Sequence, residues 1–491
     1  MVQLIIIVLY FALTVLIGVL SMRKSKTADS FHGAEMAVFA IVCASAGEWL
    51  GGTATTGCSE YGFNFGLSGA WYTIGNGIGV MFLALCFSKV YRSLKTVTVP
   101  GIIEHYFGVR ARTVSSVLLI IVMEAVGLAQ MIAAGKLGQS LLGFDFTWTC
   151  VVFAVIFIIY TLCGGMNAVA STNKMHLFVM YGGAIVAIFV ALTKVDGWSG
   201  FMAGIREVEA ADATKNYFNM FSIGGAKVSS WIIAGLLGAC TAQAGVQPVL
   251  AAKDIPTARK ACIITAFVAA PFGFFTCLLG MIAKVMSHHG TLLDTAGKVV
   301  TDGKMALPTL MMNLPAVIGG LILASILAAV LSTVSPIILA SGTMFTKDLY
   351  QKLINPKASD KKILLVSRIS TAIAGIVCCV GAIFLVNASA VLDIVYSAYS
   401  LRGALFIIVM LGMLWMKQRK KVSETGAIIA MILTGVSAVV WVVIKLVSGS
   451  YPLSIGTFTI TETYVAVLVA FVATLVLNAV CPKDAKLEQV K

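Results

Sequence analysis

Glu48 is the residue whose setting asks for an explanation. The run Ala44-Ser45-Ala46-Gly47-Glu48-Trp49-Leu50-Gly51-Gly52-Thr53 puts a carboxylate and three glycines near the middle of an apolar stretch. A carboxylate at membrane depth is costly and marks a functional position by default. One reading of the glycines is close helix packing at small residues. The other is an unwound turn whose freed carbonyls meet a cation or a substrate, and Glu48 favours it. A second interrupted stretch, Gly235-Leu236-Leu237-Gly238-Ala239-Cys240-Thr241-Ala242-Gln243-Ala244-Gly245-Val246-Gln247-Pro248, has the same character. A third feature is Ser332-Thr333, with Pro336 close behind. Hydroxyls in a membrane helix usually bond back to a carbonyl one turn earlier. Pro336 also frees a carbonyl one turn earlier, so hydroxyls and carbonyl together offer hard oxygen ligands of the kind a sodium-sized cation needs. Arg402, about ten residues into its own apolar stretch, is a second charge near midplane.

The elements that must position these residues are membrane helices. Of the 491 residues, 59% are hydrophobic and 11% charged, against ~25% charged in soluble domains. Apolar stretches occur near 2–21, 37–60, 66–91, 113–142, 147–165, 168–193, 226–250, 260–286, 308–345, 363–386, 390–416, 424–446 and 462–481. At ~20 residues per span the expectation is an all-α polytopic protein of about 13 transmembrane helices. The 308–345 stretch is too long for one straight span and is expected to be tilted or broken. Continuous rather than alternating apolar runs argue against a barrel. The first stretch has no positive residues before it, so it reads as a retained helix and not a signal peptide.

The net charge of +14 forms no basic stripe with interleaved aromatics, so a nucleic-acid partner is not expected. It reads as topology. With the N-terminus outside, the gaps facing the cytoplasm hold Arg23, Lys24, Lys26, Lys89, Arg92, Lys95, Arg110, Arg112, Lys174, Lys253, Arg259, Lys260, the lysines at 347–362, those at 417–421 and the tail Lys483, Lys486 and Lys491. The bias over the opposite gaps is about three to one. The C-terminus is then cytoplasmic, in a multi-pass protein of the cell (cytoplasmic) membrane. Val99–Phe107 reads as a short amphipathic helix at the inner surface. The 11 cysteines show no metal-ligand spacing and read as small core residues. The five histidines read as lying near loops, away from any nucleophile or metal cluster, and no enzyme is expected. No appended soluble domain is expected either. That leaves a membrane transporter, with a transporter-like membrane sensor as the rival, and the sequence is silent on oligomeric state.

The two interrupted stretches each open a set of five spans. Their spacing suggests an inverted repeat with halves at 37–193 and 226–416, preceded by the helix at 2–21 and followed by two helices within 424–481. At this point the chain resembles the sodium:solute symporter family. The resemblance rests on the Gly-rich segment Gly47–Gly57, on Tyr160-Thr-Leu-Cys-Gly-Gly-Met-Asn-Ala-Val-Ala-Ser-Thr172, on Gln247-Pro-Val-Leu-Ala-Ala-Lys-Asp254, and on Ala329 through Ser335 followed by Phe345-Thr-Lys-Asp-Leu-Tyr350. It implies a LeuT-type fold with a five-plus-five inverted repeat. It implies a sodium site formed by the carbonyls of Val42, Ser45 and Ala329 and the hydroxyls of Ser332 and Thr333, with sodium as coupling ion and no other cofactor. It further implies a substrate site near Ala46, Glu48, Trp49, Thr73, Asn76 and Gln243, and brings the helices of Glu48 and Arg402 together. Those two charges then form an ion pair, or Arg402 meets a substrate carboxylate, or Arg402 snorkels or pairs with Asp393 or Glu124. The family usually has Thr-Asp where this chain has Thr172-Asn173, which keeps a proton-coupled or uncoupled carrier as the alternative. Trp49 gives one aromatic wall, but Ala242, Gln243 and Gly245 give no cage for a quaternary ammonium. A small organic anion, an amino acid or another polar solute is the expected cargo.

Overall fold

The computed structural model describes residues 2–22, 31–32, 35–142, 144–387, 391–418, 421–456 and 458–483. Arg23, Lys24, Lys26, Arg419, Lys420, Lys486 and Lys491 lie outside the described residues. By length and composition, ten helices among the described residues can cross a membrane, and three shorter apolar helices, Ile5–Ile17, Val38–Trp49 and Phe146–Ile159, accompany them. The shorter ones fall on the expected spans 2–21, 37–60 and 147–165. A two-stranded ribbon, Ser454–Ile455 with Phe458–Thr459, sits between the last two helices.

Two helices stop in mid-course. The first ends at Trp49, leaves helical geometry at Leu50 and Gly51, and resumes through a wide turn at Thr53–Gly57 into Cys58–Phe65. The second runs Gly225–Gly238, opens over Ala239–Ala242, and resumes as Gln243–Leu250. Backbone groups exposed at such breaks must be satisfied by protein, and neighbouring side chains do so. Gln130 accepts from the Thr53 amide at 3.2 Å, and Thr276 donates to the Ala54 carbonyl at 2.8 Å. Tyr91 donates to the Cys240 carbonyl at 2.8 Å. Ser45 joins the two broken helices directly, its hydroxyl donating to the Gly245 carbonyl at 3.0 Å.

The stretch expected at 308–345 is divided differently. A short helix, Gly303–Met312, ends before Pro315, and the span itself is Ala316–Met344 continued by a wide turn through Ile354. Pro315 starts the new helix because its ring fixes φ and it needs no amide donor there. The helix pair at 146–192 breaks at Gly165, which has φ +55. The segment expected to lie at the inner surface is a helix, Val99–Phe107, capped by the Thr98 hydroxyl, with Ile102, Ile103, Tyr106 and Phe107 buried and no residue exposed.

Glycines set the approach of two core helices. A Cβ on Gly79 would lie 2.1 Å from the Gly235 carbonyl oxygen, and one on Gly235 would lie 2.6 Å from the Gly75 carbonyl carbon. Gly182 has open space around it. Gly79→Ala is therefore expected to destabilise by about 1–3 kcal/mol through overpacking. Gly182→Ala is expected to stabilise by up to about 1 kcal/mol through helix propensity. Thermal unfolding of the two purified variants in detergent checks the opposite signs.

Candidate functional site

The expected cation site lies where the first broken helix meets the long helix Ala316–Met344. Pro336 has no amide hydrogen, so the carbonyl four residues earlier, that of Ser332, lacks its helical partner. Asn173 supplies one: its Nδ2 donates to the Ser332 oxygen at 3.1 Å. The Thr333 hydroxyl donates to the Gly47 carbonyl, at the end of the first half-helix, and lies 3.3 Å from the Ala329 oxygen. Ser332 donates to the Ala329 oxygen at 2.8 Å, the local back-bond that hydroxyls in helices favour. Gly47 is required here, because a Cβ would fall 2.2 Å from the Ser332 oxygen and 2.3 Å from Asn173 Nδ2. Beside these bonds is a cavity of about 10 Å³ lined by Cys43, Ala46, Gly47, Leu50, Asn173, Leu177, Met180 and Ser332, the room of about one water. Asn173 Oδ1 is buried with no hydrogen-bond partner among the described residues. The structure thus brings Ser332, Thr333 and Ala329 together, but the bonds to the first helix run through Gly47 rather than Val42 and Ser45. The Ser45 hydroxyl, a different group from the carbonyl expected at the cation, points to the second broken helix.

The second centre is Glu48 with Arg402. Arg402 Nη1 donates to Glu48 Oε1 at 2.9 Å, and both side chains have no exposed surface. The guanidinium carbon lies 3.5 Å over the Tyr399 ring and 5.4 Å from the Trp49 ring. This decides between the pairings open in the sequence. Asp393 pairs with Lys227 at 3.0 Å and Lys445 at 3.8 Å, and accepts from the Tyr61 hydroxyl at 2.8 Å. Glu124 accepts from the Cys378 thiol at 3.0 Å. The Glu48–Arg402 pair is incompletely satisfied: Glu48 Oε2, Arg402 Nε and Arg402 Nη2 are buried without hydrogen-bond partners among the described residues.

Other expected substrate residues divide. Ala46 lines the small cavity, and Trp49 packs against Gly245, where a Cβ would come within 2.8 Å of its ring. Asn76 is fully buried with neither amide atom partnered among the described residues. Thr73 is occupied elsewhere: its hydroxyl donates to the Ala270 carbonyl at 2.8 Å and accepts from the Gly273 amide at 3.0 Å, closing a break between Ala269 and Phe272. Gln243 is likewise committed. Its Oε1 accepts from the Val99 amide at 2.8 Å and its Nε2 donates to the Val97 carbonyl at 3.1 Å, which ties the surface helix to the second broken helix. His176 is not near a loop; it lies inside the helix and its Nδ1 meets the Tyr10 hydroxyl.

Sequence reading missed a chain of polar groups leading to Arg402. Gln130 Nε2 donates to Thr53 Oγ1 at 3.1 Å, Thr53 Oγ1 lies 2.8 Å from the Tyr72 hydroxyl, and Tyr72 lies 3.3 Å from the Tyr399 hydroxyl. A lone glutamine inside an apolar span was the available signal. It also missed the ionic cluster at the opposite end of the bundle from Asp393. There Asp348 accepts from Arg112 Nε at 2.7 Å and Thr98 Oγ1 at 2.8 Å, and Glu104 pairs with Arg112 and with Lys352 at 2.6 Å. Despite partial burial, which works the other way, Lys352 and Arg112 hold the Glu104 carboxyl below its ordinary pKa.

Paired broken helices, a small cavity beside Asn173 and Ser332, and a buried charge pair are features of secondary transporters built on discontinuous helices. The chain belongs to the sodium:solute symporter family, whose model matches residues 31–435. It is 25% identical over 400 residues to a sodium/glucose cotransporter of Vibrio parahaemolyticus, covering 77% of this chain and 72% of that one. It is 26% identical over 433 residues to a high-affinity proline transporter of Bacillus subtilis, covering 85% and 87%. A sodium-coupled sialic acid symporter in a substrate-bound outward-open state has the same fold, with TM-score 0.78, 19% identity and 98% of each chain covered. The nucleobase-cation-symport-1 transporter Mhp1 follows at TM-score 0.56, with 13% identity over 94% of this chain and 97% of that one. The protein is thus a LeuT-type, multi-pass membrane transporter and not an enzyme.

Removing one charge of the buried pair strands the other. Glu48→Gln and Arg402→Gln are each expected to lower stability by about 3–5 kcal/mol, and the double variant by less than the sum. Additive losses in a thermal or chemical unfolding cycle would show that the two charges are not coupled.

Proposed function

We propose that this chain carries a small organic solute into the cell, driven by sodium moving inward with it. The sodium ligands are the carbonyls of Val42, Ser45 and Ala329 and the hydroxyls of Ser332 and Thr333, with Asn173 Oδ1 as a neutral neighbour. The substrate site is centred on Ala46, Glu48, Trp49, Asn76 and Arg402. The repeat halves are 37–193 and 226–416, and the Lys/Arg bias supports an outside N-terminus and cytoplasmic C-terminus in the cytoplasmic membrane.

The observation that carries this reading is the Ser332 carbonyl, freed by Pro336 and held by Asn173 beside a water-sized cavity. The residues around that cavity include no carboxylate and no imidazole. A proton needs a titrating group to bind, whereas a sodium ion is held by neutral hydroxyl and carbonyl oxygens. Asn173 in place of the family's aspartate therefore favours a metal cation over a proton at this position. The solutes named for the relatives, glucose and proline, span neutral and zwitterionic chemistry, and the cargo here falls within small polar solutes.

Solute uptake into proteoliposomes under an imposed sodium gradient tests the reading. Ser332→Ala with Thr333→Ala removes two proposed ligands, and sodium-dependent uptake is expected to disappear while the purified protein stays folded. Uptake that keeps its sodium dependence in this double variant would dismiss the site. Asn173→Asp sets a carboxylate against the Ser332 carbonyl, so stability without sodium is expected to fall. Sodium would bridge the two oxygens, and stabilisation by sodium is expected to grow. An unchanged or smaller response to sodium removes Asn173 from the cation's surroundings.

A further inference from the structure

We propose that the chain carries a binding site for a small primary alkylammonium ion at the end of the bundle opposite Asp348, separate from the sites for sodium and solute. The site is a cavity of about 390 Å³, at the small end of the range for pockets that hold organic molecules. It lies where helix Val109–Leu142 ends, between Phe144, the hairpin closed by Leu293 and Val299, and helix Gly303–Met312. Arg112, near the start of Val109–Leu142, pairs with Asp348, just past the far end of Ala316–Met344. The cavity is therefore at the other end, which is the outer one on the Lys/Arg reading.

Helix Gly303–Met312 stands between this cavity and the first broken helix. Met305, Thr309 and Met312, at helical spacing, line the cavity. Gly303 meets the first broken helix, where a Cβ would lie 2.7 Å from Asn64 Nδ2 and 3.2 Å from Glu60. An occupant held by this helix on one side and by Gln139 on the other would tie the two helices together.

The polar lining accepts more than it donates. Asn313 uses both amide hydrogens, on the carbonyls of Leu293 and Thr309 at 2.9 Å each, and its Oδ1 has no partner among the described residues. Asp294 Oδ1 accepts from the amides of Ala296 and Lys298 at 2.8 Å each, and Oδ2 has no hydrogen bond or ion pair among the described residues. Gln139 Oε1 is buried without a partner among them. Asp294 is also the one charged residue in the described lining. A single negative charge beside several free acceptors calls for a cation that donates. An alkylammonium has three donors and no acceptor, and it is charged at neutral pH as lysine is. Phe144, Met305 and Met312 offer an apolar wall to its carbon chain. A quaternary ammonium has the charge without the donors, and an alcohol has a donor without the charge. A bare metal ion would leave the apolar wall unused.

The test is calorimetric titration of the purified full-length protein with butylamine, butyltrimethylammonium, butanol and calcium. Butylamine is expected to bind, and the other three at least about 10-fold more weakly. Asp294→Asn keeps an oxygen for the Ala296 and Lys298 amides and removes the charge, so butylamine affinity is expected to fall about 10-fold or more. Phe144→Ala, at an exposed position, is expected to weaken butylamine and to leave methylamine nearly unchanged. Hydrogen exchange over 291–313 is expected to slow when butylamine binds. An unfolding transition like the parent's shows that each variant is folded; should Asp294→Asn not fold, Phe144→Ala and the exchange measurement decide. Equal or tighter binding of the trimethylated cation, the alcohol or calcium overturns the ligand class. Absence of butylamine binding, butylamine affinity unchanged in a folded variant, or exchange over 291–313 unaltered by butylamine overturns the site. Each readout is binding and not uptake, so the sodium symport reading stands or falls separately.

Discussion

Two helices that stop halfway across a bilayer create the constraint on which the rest of this structure depends. Each break exposes amides and carbonyls where water is absent, and each exposed group must find a partner in protein. The partners come from elsewhere in the chain: Gln130 and Thr276 serve the first break, and Tyr91 serves the second. The breaks thereby recruit helices that would otherwise only pack against them. Ser45, donating to Gly245, makes the two broken helices one unit. Glycines at 47, 79, 235 and 238 keep backbones close enough for these bonds, since a Cβ at any of them would crowd a neighbour.

The same constraint bears on the place of the proposed cation site. Pro336 lies inside a continuous helix and does not break it. Its effect is to leave one carbonyl, that of Ser332, without an amide donor. Asn173 reaches that oxygen from a different helix and keeps its own Oδ1 free. An aspartate in that place would repel the Ser332 oxygen unless a cation lay between them. Asparagine holds the two helices together by itself, so the Ser332 carbonyl does not depend on an ion for its partner.

Much of the fold was legible because membrane helices announce themselves by length and apolar composition, and the broken ones by glycines at mid-span. Glu48 and Arg402 were legible as two charges at one depth, the resemblance brought their helices together, and an ion pair was one of the alternatives left open. What the sequence could not carry was direction around each helix. Thr73 and Gln243 lie on the right helices, yet Thr73 closes a break at Ala270 and Gln243 holds the backbone of Val97 and Val99. A hydroxyl or amide in an apolar span satisfies whichever orphan is nearest, and a one-residue rotation changes which orphan that is. A tilt or break in 308–345 was expected, but its position at Pro315 was not, because an apolar run continues across it, although proline at a helix start is a recognised signal.

The two ionic clusters give these local arrangements a common geometry. Asp393, Lys227 and Lys445 join both broken helices' neighbours at one end, with Tyr61 of the first broken helix bonded to Asp393 and to Lys227. Asp348, Arg112 and Glu104 fix the surface helix at the other, and Gln243 ties that helix to the second broken helix. Between them lies the Glu48–Arg402 pair, fully desolvated and only half satisfied. The Asp393 cluster is partly exposed, so its pairs are weak, whereas Asp348 in the other cluster is fully buried. The central pair has no water to exchange with, so a change at either end that moves the broken helices must either carry the pair along intact or supply new partners for its charges.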